Sequence, residues 1–330
     1  MLGIDVSKAT LVCTLVDPRD QRVCWETAVP NSAAGVARLI QRTAADCAWV
    51  VEPTGRYSDL VVQQASSAGR TVLLAQPKRA KAFLAAVSPR AKTDRVDSAG
   101  LARYGLAATL RPYPVKSETM AQVEQLLAAR KGISESMARL KQQREALPYA
   151  AAPLAAAIAA LAHEQAVIDR ELAVVTQQED AVARLRAIPG VGPVTATAVA
   201  LCLRTKQFDH PDQFVAYIGL DVRVRDSGQH RGRRTLSHQG DAEVRRLLYL
   251  GAQANLRSKD PENPFTQQYA RERAKGLSST GALCAVARKL ARTCWSLVTH
   301  GTQYEAERVH RQPVPPQIAA NVPYPLDSEP

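Results

Sequence analysis

The sequence lacks three features that would place the protein in a familiar class. Its six cysteines include no CxxC pair, which argues against a zinc site or a disulfide framework. It has no run of 18 apolar residues, so we expect no membrane span, and its N-terminus shows no signal-peptide pattern. This composition fits buried thiols in a reducing compartment, and we expect a cytoplasmic, nucleoid-associated protein.

Acidic residues are also scarce relative to basic ones. The 330 residues include 43 Lys and Arg against 31 Asp and Glu, which gives a formal net charge of +12. This excess of positive charge favours a polyanionic partner. The chain is 46% hydrophobic and can therefore bury substantial cores, and its length predicts two or three domains.

The first third of the chain alternates strand and helix patterns. We predict strands at residues 2–5, 11–16, 22–29, 47–51 and 71–75, and helices at 31–43, 57–68 and 94–104. The resulting order β-β-β-α-β-α-β-α is that of a ribonuclease-H-like sheet. The fold class is therefore α/β in this part, and the rest of the chain is predicted to be mainly helical.

Four carboxylates occupy significant places in this order. Asp5 closes the first strand, Glu52 closes the fourth, and Asp94 and Asp97 share one face of the last helix. In a ribonuclease-H-like sheet the first and fourth strands are neighbours, so these four residues, here called the acidic tetrad, would converge. Four carboxylates can hold two divalent ions roughly 4 Å apart, which clamp a phosphodiester. The alternative for the last pair is a capping box, with Asp94 as N-cap and Asp97 at N3.

A basic run precedes the last helix, between Pro77 and Arg95. It includes Lys78, Arg79 and Lys92, and we interpret it as an irregular loop that suits a nucleic-acid backbone. A solvated surface is the alternative interpretation for any single one of these residues.

Three motifs resemble those of the DEDD-type insertion-sequence transposases, a family that includes the Piv invertase and the bridge-RNA-guided recombinases. They are Gly3-Ile4-Asp5-Val6-Ser7-Lys8, Glu52-Pro53-Thr54-Gly55-Arg56-Tyr57 and Lys92-Thr93-Asp94-Arg95-Val96-Asp97. The resemblance implies a first domain similar to the Holliday-junction resolvase RuvC. It also implies that the acidic tetrad binds Mg²⁺, as two ions per site, with Mn²⁺ as a substitute. Only four residues precede Asp5, where relatives usually have a longer strand.

Two long helices are predicted in the middle of the chain, at residues 117–147 and 153–187. Apolar residues at heptad spacing, with Gln165 and Glu179 in the seam, favour a coiled-coil arm that joins two subunits. Two antiparallel helices within one chain are the alternative. The predicted domains are 1–148 (RuvC-like, with the first long helix), 149–187 (the arm), 188–311 (the C-terminal domain) and 312–330 (a disordered tail).

The C-terminal domain begins with a glycine-rich turn, Ile188-Pro189-Gly190-Val191-Gly192-Pro193. Gly190 and Gly192 are typical of a helix-hairpin-helix turn, whose backbone amides approach a phosphate. A tight turn between packed helices is the structural alternative.

The block that follows, with Ser227-Gly228 in a basic stretch, resembles the C-terminal domain of the same transposases. The resemblance makes Ser227 the nucleophile, with Arg225, Arg233 and Arg234 as candidate phosphate contacts. Relatives commonly have Ser-Lys where this chain has Ser237-His238, which puts one backbone contact in doubt.

Together these features predict a DNA transposase or recombinase that forms a covalent phosphoserine. The resemblance implies target and donor DNA and a bridge RNA as partners, in a homodimer that becomes a tetramer in the synaptic complex. It also implies that the serine of one subunit meets the acidic tetrad of another. The leading alternative is a RuvC-like nuclease that uses metal-activated water. An actin-like sugar kinase lacks its second glycine-rich loop here, and the intact acids and serine disfavour a non-catalytic binding protein.

Overall fold

The structure is a computed structural model that describes residues 1–53, 55–87, 93–113, 117–223, 226–227, 230–231 and 235–310. The chain separates into two compact units, Met1–Ser117 and Glu118–Pro330. Several predicted features lie outside the described residues, namely Lys92, Arg225, Arg233, Arg234 and the predicted tail at 312–330.

The first unit is built on a five-stranded mixed sheet. Its strands are β1 (Leu2–Val6), β2 (Thr10–Val16), β3 (Val23–Pro30), β4 (Trp49–Val51) and β5 (Val72–Leu74). They lie in the order β3-β2-β1-β4-β5, and β1 is antiparallel to β2 but parallel to β4. The five predicted strands are confirmed, including the adjacency of the first and the fourth.

Helices cover both faces of this sheet. They are α1 (Ala33–Arg42), α2 (Asp59–Ser67), α3 (Pro77–Val87) and α4 (Asp94–Ala107), and a 3₁₀ turn spans Gly55–Tyr57. One core includes Leu2, Ile4 and residues of α1 and α2, while another joins Val50 to residues of α3 and α4. The two cores lie on opposite faces because side chains alternate along each strand.

The prediction of an irregular basic loop after Pro77 is wrong. Residues 77–87 form α3, whose Ala80 is fully buried beside Val50. The small residues between the basic ones allow the helix to pack on the sheet, a benefit that the local charge pattern does not reveal.

The second unit starts with a helical hairpin of α5 (Glu118–Ala146) and α6 (Ala151–Val175), joined by a 3₁₀ turn at Pro148–Ala150. The helices are antiparallel: Arg130 on α5 donates to Asp169 on α6 (Nη2 to Oδ2, 3.2 Å), and Ser134 accepts from Gln165 (3.2 Å). The intrachain alternative is therefore present, and a joint between subunits stays a prediction. The predicted domain limits at 148 and 187 also stay predictions, although α5 groups with the second unit here.

The predicted single helix over 153–187 is interrupted. It ends at Val175, and α7 (Asp180–Arg186) begins after a short turn. Val182 and Leu185 on α7 are buried in the C-terminal core, so the chain turns to bring them there instead of extending α6 into solvent.

One helical stretch among the described residues, Pro148–Val175, is long and apolar enough to cross a membrane by length and composition alone. The prediction of no membrane span rested on the lack of an uninterrupted apolar run, a criterion that this stretch does not meet. A single helix of this kind is weak evidence for a membrane, and this one lies along α5 and shares an ion pair with it through Asp169.

The remaining helices surround a core centred on the last of them. They are α8 (Pro193–Thr205), α9 (Pro211–Tyr217), α10 (Ala242–Asn255), α11 (Pro264–Ala274) and α12 (Ser279–His300), followed by a 3₁₀ turn at Ala306–His310. Val286, Leu290 and Cys294 of α12 are fully buried. Between α9 and α10 the chain forms β6 (Val222–Arg223), β7 (Asp226–Ser227), β8 (His230–Arg231) and β9 (Thr235–Leu236).

Candidate active site

Helix α4 lies directly on strand β1, and Gly3 makes this possible. A Cβ atom at Gly3 would lie 2.0 Å from the carbonyl oxygen of Ser98 and 2.5 Å from the amide nitrogen of Ala102. Thr14 stands opposite Gly3 on β2, and its hydroxyl oxygen lies 2.7 Å from that of Ser98 in a buried hydrogen bond. The helix backbone can therefore approach the sheet because Gly3 has no side chain, and the hydrogen bond between Thr14 and Ser98 joins the two elements.

Asp5 and Glu52 point to the same face of the sheet as this helix. Gly3 pairs with Val50 across β1 and β4, and each carboxylate comes two residues later in its chain, so it shares the face of that pair. Val50 packs against Leu101 of α4, which identifies the face. The strands therefore present two neighbouring carboxylates toward α4.

The direction of α4 brings the other two acids to the same end. A Cβ atom at Gly105, near the end of the helix, would meet the side chains of Val50 (2.3 Å) and Met1 (3.4 Å), so this part of α4 lies over the start of β1. The N-terminal turn, which carries Asp94 and Asp97, consequently lies toward the other end of β1, where the strand acids are.

Thr93, not Asp94, caps α4. The Thr93 hydroxyl accepts a hydrogen bond from the amide of Val96 (3.3 Å), and the first helical residue is Asp94. The capping-box alternative, with Asp94 as N-cap, is therefore wrong. Within the described part of the chain, the carboxylates of Asp94 and Asp97 form no hydrogen bond or ion pair.

The two carboxylates near the strand ends lie within electrostatic range of acids on α4. Burial raises the pKa of Asp5, and the nearby charges of Asp94 and Asp97 raise it further. Burial also raises the pKa of Glu52, with added repulsion from Asp5 and Asp97 that the ammonium of Lys81 partly offsets. Each carboxylate on the strands is therefore destabilised by the others when all are ionised.

Oxygen donors of this kind suit Mg²⁺ or Mn²⁺. No group of three His, Cys, Asp or Glu side chains in the described ranges is already gathered closely enough to hold a metal ion. A cation between Asp5, Glu52 and the acids on α4 would relieve the repulsion that raises the pKa values of Asp5 and Glu52.

Asn31 holds together the loops that follow the two acid-bearing strands. Its Nδ2 donates to the carbonyl oxygens of Ser7, after β1, and Tyr57, after β4, both at 2.9 Å. The sequence analysis assigned Asn31 only to the start of α1, where the actual cap is Ser32. No local signal could have revealed this bridge, because its partners lie 24 and 26 residues away.

The basic residues that were predicted to contact nucleic acid begin beside this site. Lys78 and Arg79 are exposed on the first turn of α3, as is Lys81, whose charge acts on Glu52. The positive charge is therefore presented by a helix instead of a loop.

In the second unit, the two glycines of the hairpin turn have different roles. Gly190 has a left-handed φ of +81°, and a Cβ atom there would lie 2.2 Å from Asn255 Nδ2 and 2.4 Å from the carbonyl oxygen of Gly251. Asn255 also donates to the carbonyl of Pro189 (2.9 Å), which clamps the turn onto α10. A Cβ atom at Gly192 would meet nothing within 4 Å. Gly190 is thus required by packing, whereas the backbone at Gly192 remains open to a ligand.

The backbone of Ser227 lies in a β-ribbon. Strand β6 pairs with β9, and β7 pairs with β8, where Ser227 stands opposite His230. The side chain of Ser227 lies outside the described part of the structure, as do Arg225, Arg233 and Arg234.

The base of this ribbon is tightly built. A Cβ atom at Gly240 would lie 1.7 Å from the carbonyl oxygen of Tyr217, so the two sides of the base touch through their backbones. Arg245 Nη1 donates to the carbonyl of Ile218 (2.8 Å), and the hydroxyl of Ser237 is hydrogen-bonded to the carboxylate of Asp221. These contacts anchor the ribbon on α9 and α10.

Comparison with known proteins identifies relatives along most of the chain. Residues 2–147 match the family model described as a transposase of the DEDD IS110 type, and residues 182–269 match the one described as the transposase IS116/IS110/IS902 family. A probable family 20 transposase of Pseudomonas aeruginosa is 24% identical, over 92% of this chain and 98% of its own length. The pilin gene-inverting protein of Moraxella bovis is 22% identical, over 94% of this chain and 98% of its own length. The transposase for insertion sequence element IS1328 of Yersinia enterocolitica is 30% identical, over 42% of this chain and 41% of its own length.

Proposed function

The chain belongs to the IS116/IS110/IS902 family of transposases, and on that premise we propose that it cleaves and rejoins DNA through a covalent phosphoserine at Ser227. Its partner is DNA, and its chemistry is phosphodiester strand transfer. The observation that carries the proposal is the placement of Asp5 and Glu52 on neighbouring strands, facing the helix that bears Asp94 and Asp97.

The first unit is proposed to have a ribonuclease-H-like, RuvC-like fold. Support comes from the strand order β3-β2-β1-β4-β5, with the first three strands antiparallel and the last two parallel to β1. This topology places the carboxyl ends of β1 and β4 side by side, which is the property that a tetrad on these elements needs.

The acidic tetrad is proposed to hold Mg²⁺, or Mn²⁺ in its place, as two ions. Bound there, the metal would polarise a scissile phosphate and neutralise the charge that develops on it. The protein would contribute fixed backbone positions for these residues, because Gly3 seats α4 on β1 and Asn31 joins the loops after β1 and β4. The repulsion that raises the pKa values of Asp5 and Glu52 supports an affinity for cations.

Ser227 is proposed to attack the phosphate. The Oγ releases its proton to solvent and bonds to phosphorus, the bond from phosphorus to one DNA oxygen breaks, and that oxygen takes up a proton from solvent to become a hydroxyl end. In the rejoining step a DNA hydroxyl attacks the phosphoserine, and the serine hydroxyl is restored. The ribbon supports this role, because its base is fixed on α9 and α10 and can present a residue of β7 reproducibly.

Phosphate contacts are proposed for the basic residues and the hairpin turn. In the second unit they are Arg225, Arg233, Arg234 and the backbone at Gly190 and Gly192, and in the first unit Lys78, Arg79 and Lys92. The exposure of Lys78 and Arg79 on α3 supports the assignment, as does the net charge of +12.

A bridge RNA and a multimeric assembly complete the proposal. The resemblance described from the sequence supports a guide RNA that pairs with target and donor DNA, with the protein reading phosphates and shape. It also supports a homodimer, a synaptic tetramer, and a site in which Ser227 of one subunit serves the acidic tetrad of another. The α5–α6 hairpin is the element proposed to join subunits.

The test is a search for a covalent protein–DNA adduct. End-labelled donor and target DNA would be incubated with the protein, its flanking RNA and Mg²⁺, and resolved on a denaturing gel. We expect an adduct that disappears in Ser227→Ala and persists in the control Ser136→Ala on α5. An adduct that survives Ser227→Ala excludes the serine assignment. Free 5′-phosphate ends without any adduct would instead establish hydrolysis by metal-activated water, the nuclease alternative.

A second experiment tests the acidic tetrad. The double variant Asp94→Asn with Asp97→Asn should lose calorimetric binding of Mn²⁺ and lose adduct formation, while its folded circular-dichroism spectrum is retained. Undiminished Mn²⁺ binding in this variant would reject the proposed metal ligands.

A further inference from the structure

Helix α12 carries three basic residues within about one turn, and they differ in how they are neutralised. Arg288 donates through Nε to the carbonyl of Leu220 (3.0 Å), and Arg292 donates to the carboxylate of Asp212 (2.7 Å). Lys289 is only partly exposed, yet its ammonium forms no hydrogen bond or ion pair with any residue that the structure describes. Lys289 is therefore the cation of this turn that has no counter-charge.

The neighbours of Lys289 add positive charge instead of removing it. Arg292 follows three residues later on the same helix, and Arg271 comes from α11, which packs against α12. Burial lowers the pKa of the Lys289 ammonium, and the charges of Arg292 and Arg271 lower it further. No acidic side chain is among the groups that act on it.

Such an arrangement costs free energy in the unbound protein. A lysine that loses part of its hydration normally gains a carboxylate or carbonyl in exchange. Here the half-buried ammonium of Lys289 instead lies within range of other cations. An anion bound at this point would recover the cost, and a phosphate is the anion that a transposase meets on its substrates.

We propose that Lys289, beside Arg292 on α12, binds a phosphate of a nucleic-acid backbone. The proposal rests on the proposed function, because that function supplies the polyanion. Lys289 belongs to a different element from the hairpin turn at Gly190, which packs on α10, and from Ser227 on β7. The contact is with backbone phosphate and carries no sequence preference, since an ammonium is a point charge without a base-reading geometry.

The test measures how binding depends on salt. The full-length protein carrying Ser227→Ala, which removes the attacking hydroxyl, would be titrated with a fluorescent 30-base-pair DNA duplex and, separately, with a fluorescent RNA hairpin at several salt concentrations. Each phosphate contact contributes about 0.9 to the slope of log affinity against log salt for duplex DNA. We expect Lys289→Gln to reduce the magnitude of this slope by about 0.9, and Lys289→Arg to restore it.

Lys275 is the matched control. Lys275 caps the C-terminal end of α11, is exposed, and forms an ion pair with Glu272 at 3.0 Å. Lys275→Gln therefore removes the same charge as Lys289→Gln, but from a lysine that already has a carboxylate partner. A slope change for Lys289→Gln on duplex alone assigns the contact to DNA, and one on the hairpin alone assigns it to RNA. Slopes equal to those of Lys275→Gln on both ligands overturn the proposal.

Two further measurements separate this result from other failures. Thermal unfolding of each variant shows whether a weaker complex reflects a weaker fold, and Lys289→Met, which keeps the apolar stem, replaces Lys289→Gln if the latter unfolds. The binding slopes do not require chemistry, so they retain their meaning if the covalent adduct is never found. Conversely, the parent protein could form the adduct while Lys289→Gln leaves the salt slopes unchanged. That combination would reject only the phosphate site on α12.

Discussion

The dependence of the acidic tetrad on Gly3 can be tested with one methyl group. In Gly3→Ala the new Cβ atom would lie 2.0 Å from the carbonyl oxygen of Ser98, where ordinary contact begins at 3.4 Å. Helix α4 must therefore retreat by about 1.4 Å, the difference between these distances, because both obstructing atoms belong to its backbone. The retreat also stretches the buried hydrogen bond between Thr14 and Ser98, now 2.7 Å long.

Two consequences follow, one for stability and one for activity. Overpacking typically costs about 1–3 kcal/mol, and a lost buried hydrogen bond adds about 1 kcal/mol, so the free energy of unfolding should fall by about 2–4 kcal/mol. Asp94 and Asp97 move with α4 while Asp5 stays on β1. A displacement of about 1 Å in a reacting constellation can cost about a hundredfold in rate, which we expect for adduct formation.

Urea unfolding and the rate of Mg²⁺-dependent adduct formation would measure these effects. Gly132→Ala is the control, because Gly132 lies within α5 and a Cβ atom there meets nothing within 4 Å. That substitution should stabilise the protein by about 0.5–1 kcal/mol. If Gly3→Ala keeps both the stability and the rate of adduct formation of the parent, then the packing of α4 on β1 does not depend on the absence of a side chain at Gly3.

Two other outcomes are expected from the same geometry. Because the pKa of Asp5 is raised above its ordinary 3.8, the metal-free protein should lose stability as pH rises through that raised pKa. Asp5→Asn should therefore melt at a higher temperature than the parent at pH 7 in EDTA, and its melting temperature should rise less on addition of Mg²⁺. A melting temperature equal to that of the parent at both pH 4 and pH 7 would contradict this. Gly190→Ala should destabilise the second unit by more than about 1 kcal/mol, because it combines a left-handed φ with a backbone clash. Gly192→Ala should keep the stability of the parent but bind duplex DNA more weakly. Normal DNA binding by Gly192→Ala would reject the proposed phosphate contact at the hairpin turn.

Much of the first unit could be predicted because its signals are local. Strand β2 and the start of β3 flank an Asp17-Pro18-Arg19-Asp20 turn, and β4 is a short apolar run buried on both faces. The order of these elements then made β1 and β4 neighbours and brought Asp5 beside Glu52. Three local interpretations failed. The basic run that forms α3 and the predicted long helix that ends at Val175 were decided by what each segment packs against, which the local pattern does not contain. The cap of α4 was misassigned by one residue, since Thr93 accepts the capping hydrogen bond from Val96.

The sequence by itself predicted which residues carry the chemistry: four acids at strand ends and on a helix, and a serine in a basic segment. Only the tertiary structure decided how the first group meets. The absent side chain of Gly3 sets the distance of α4 from β1, and Asn31 joins two loops across 24 and 26 residues. The same holds for Lys289, which is an ordinary helical lysine in the sequence and an unpaired cation in the fold. Such contacts leave no periodic trace, because they depend on which distant backbone or charge the folded chain places beside a residue.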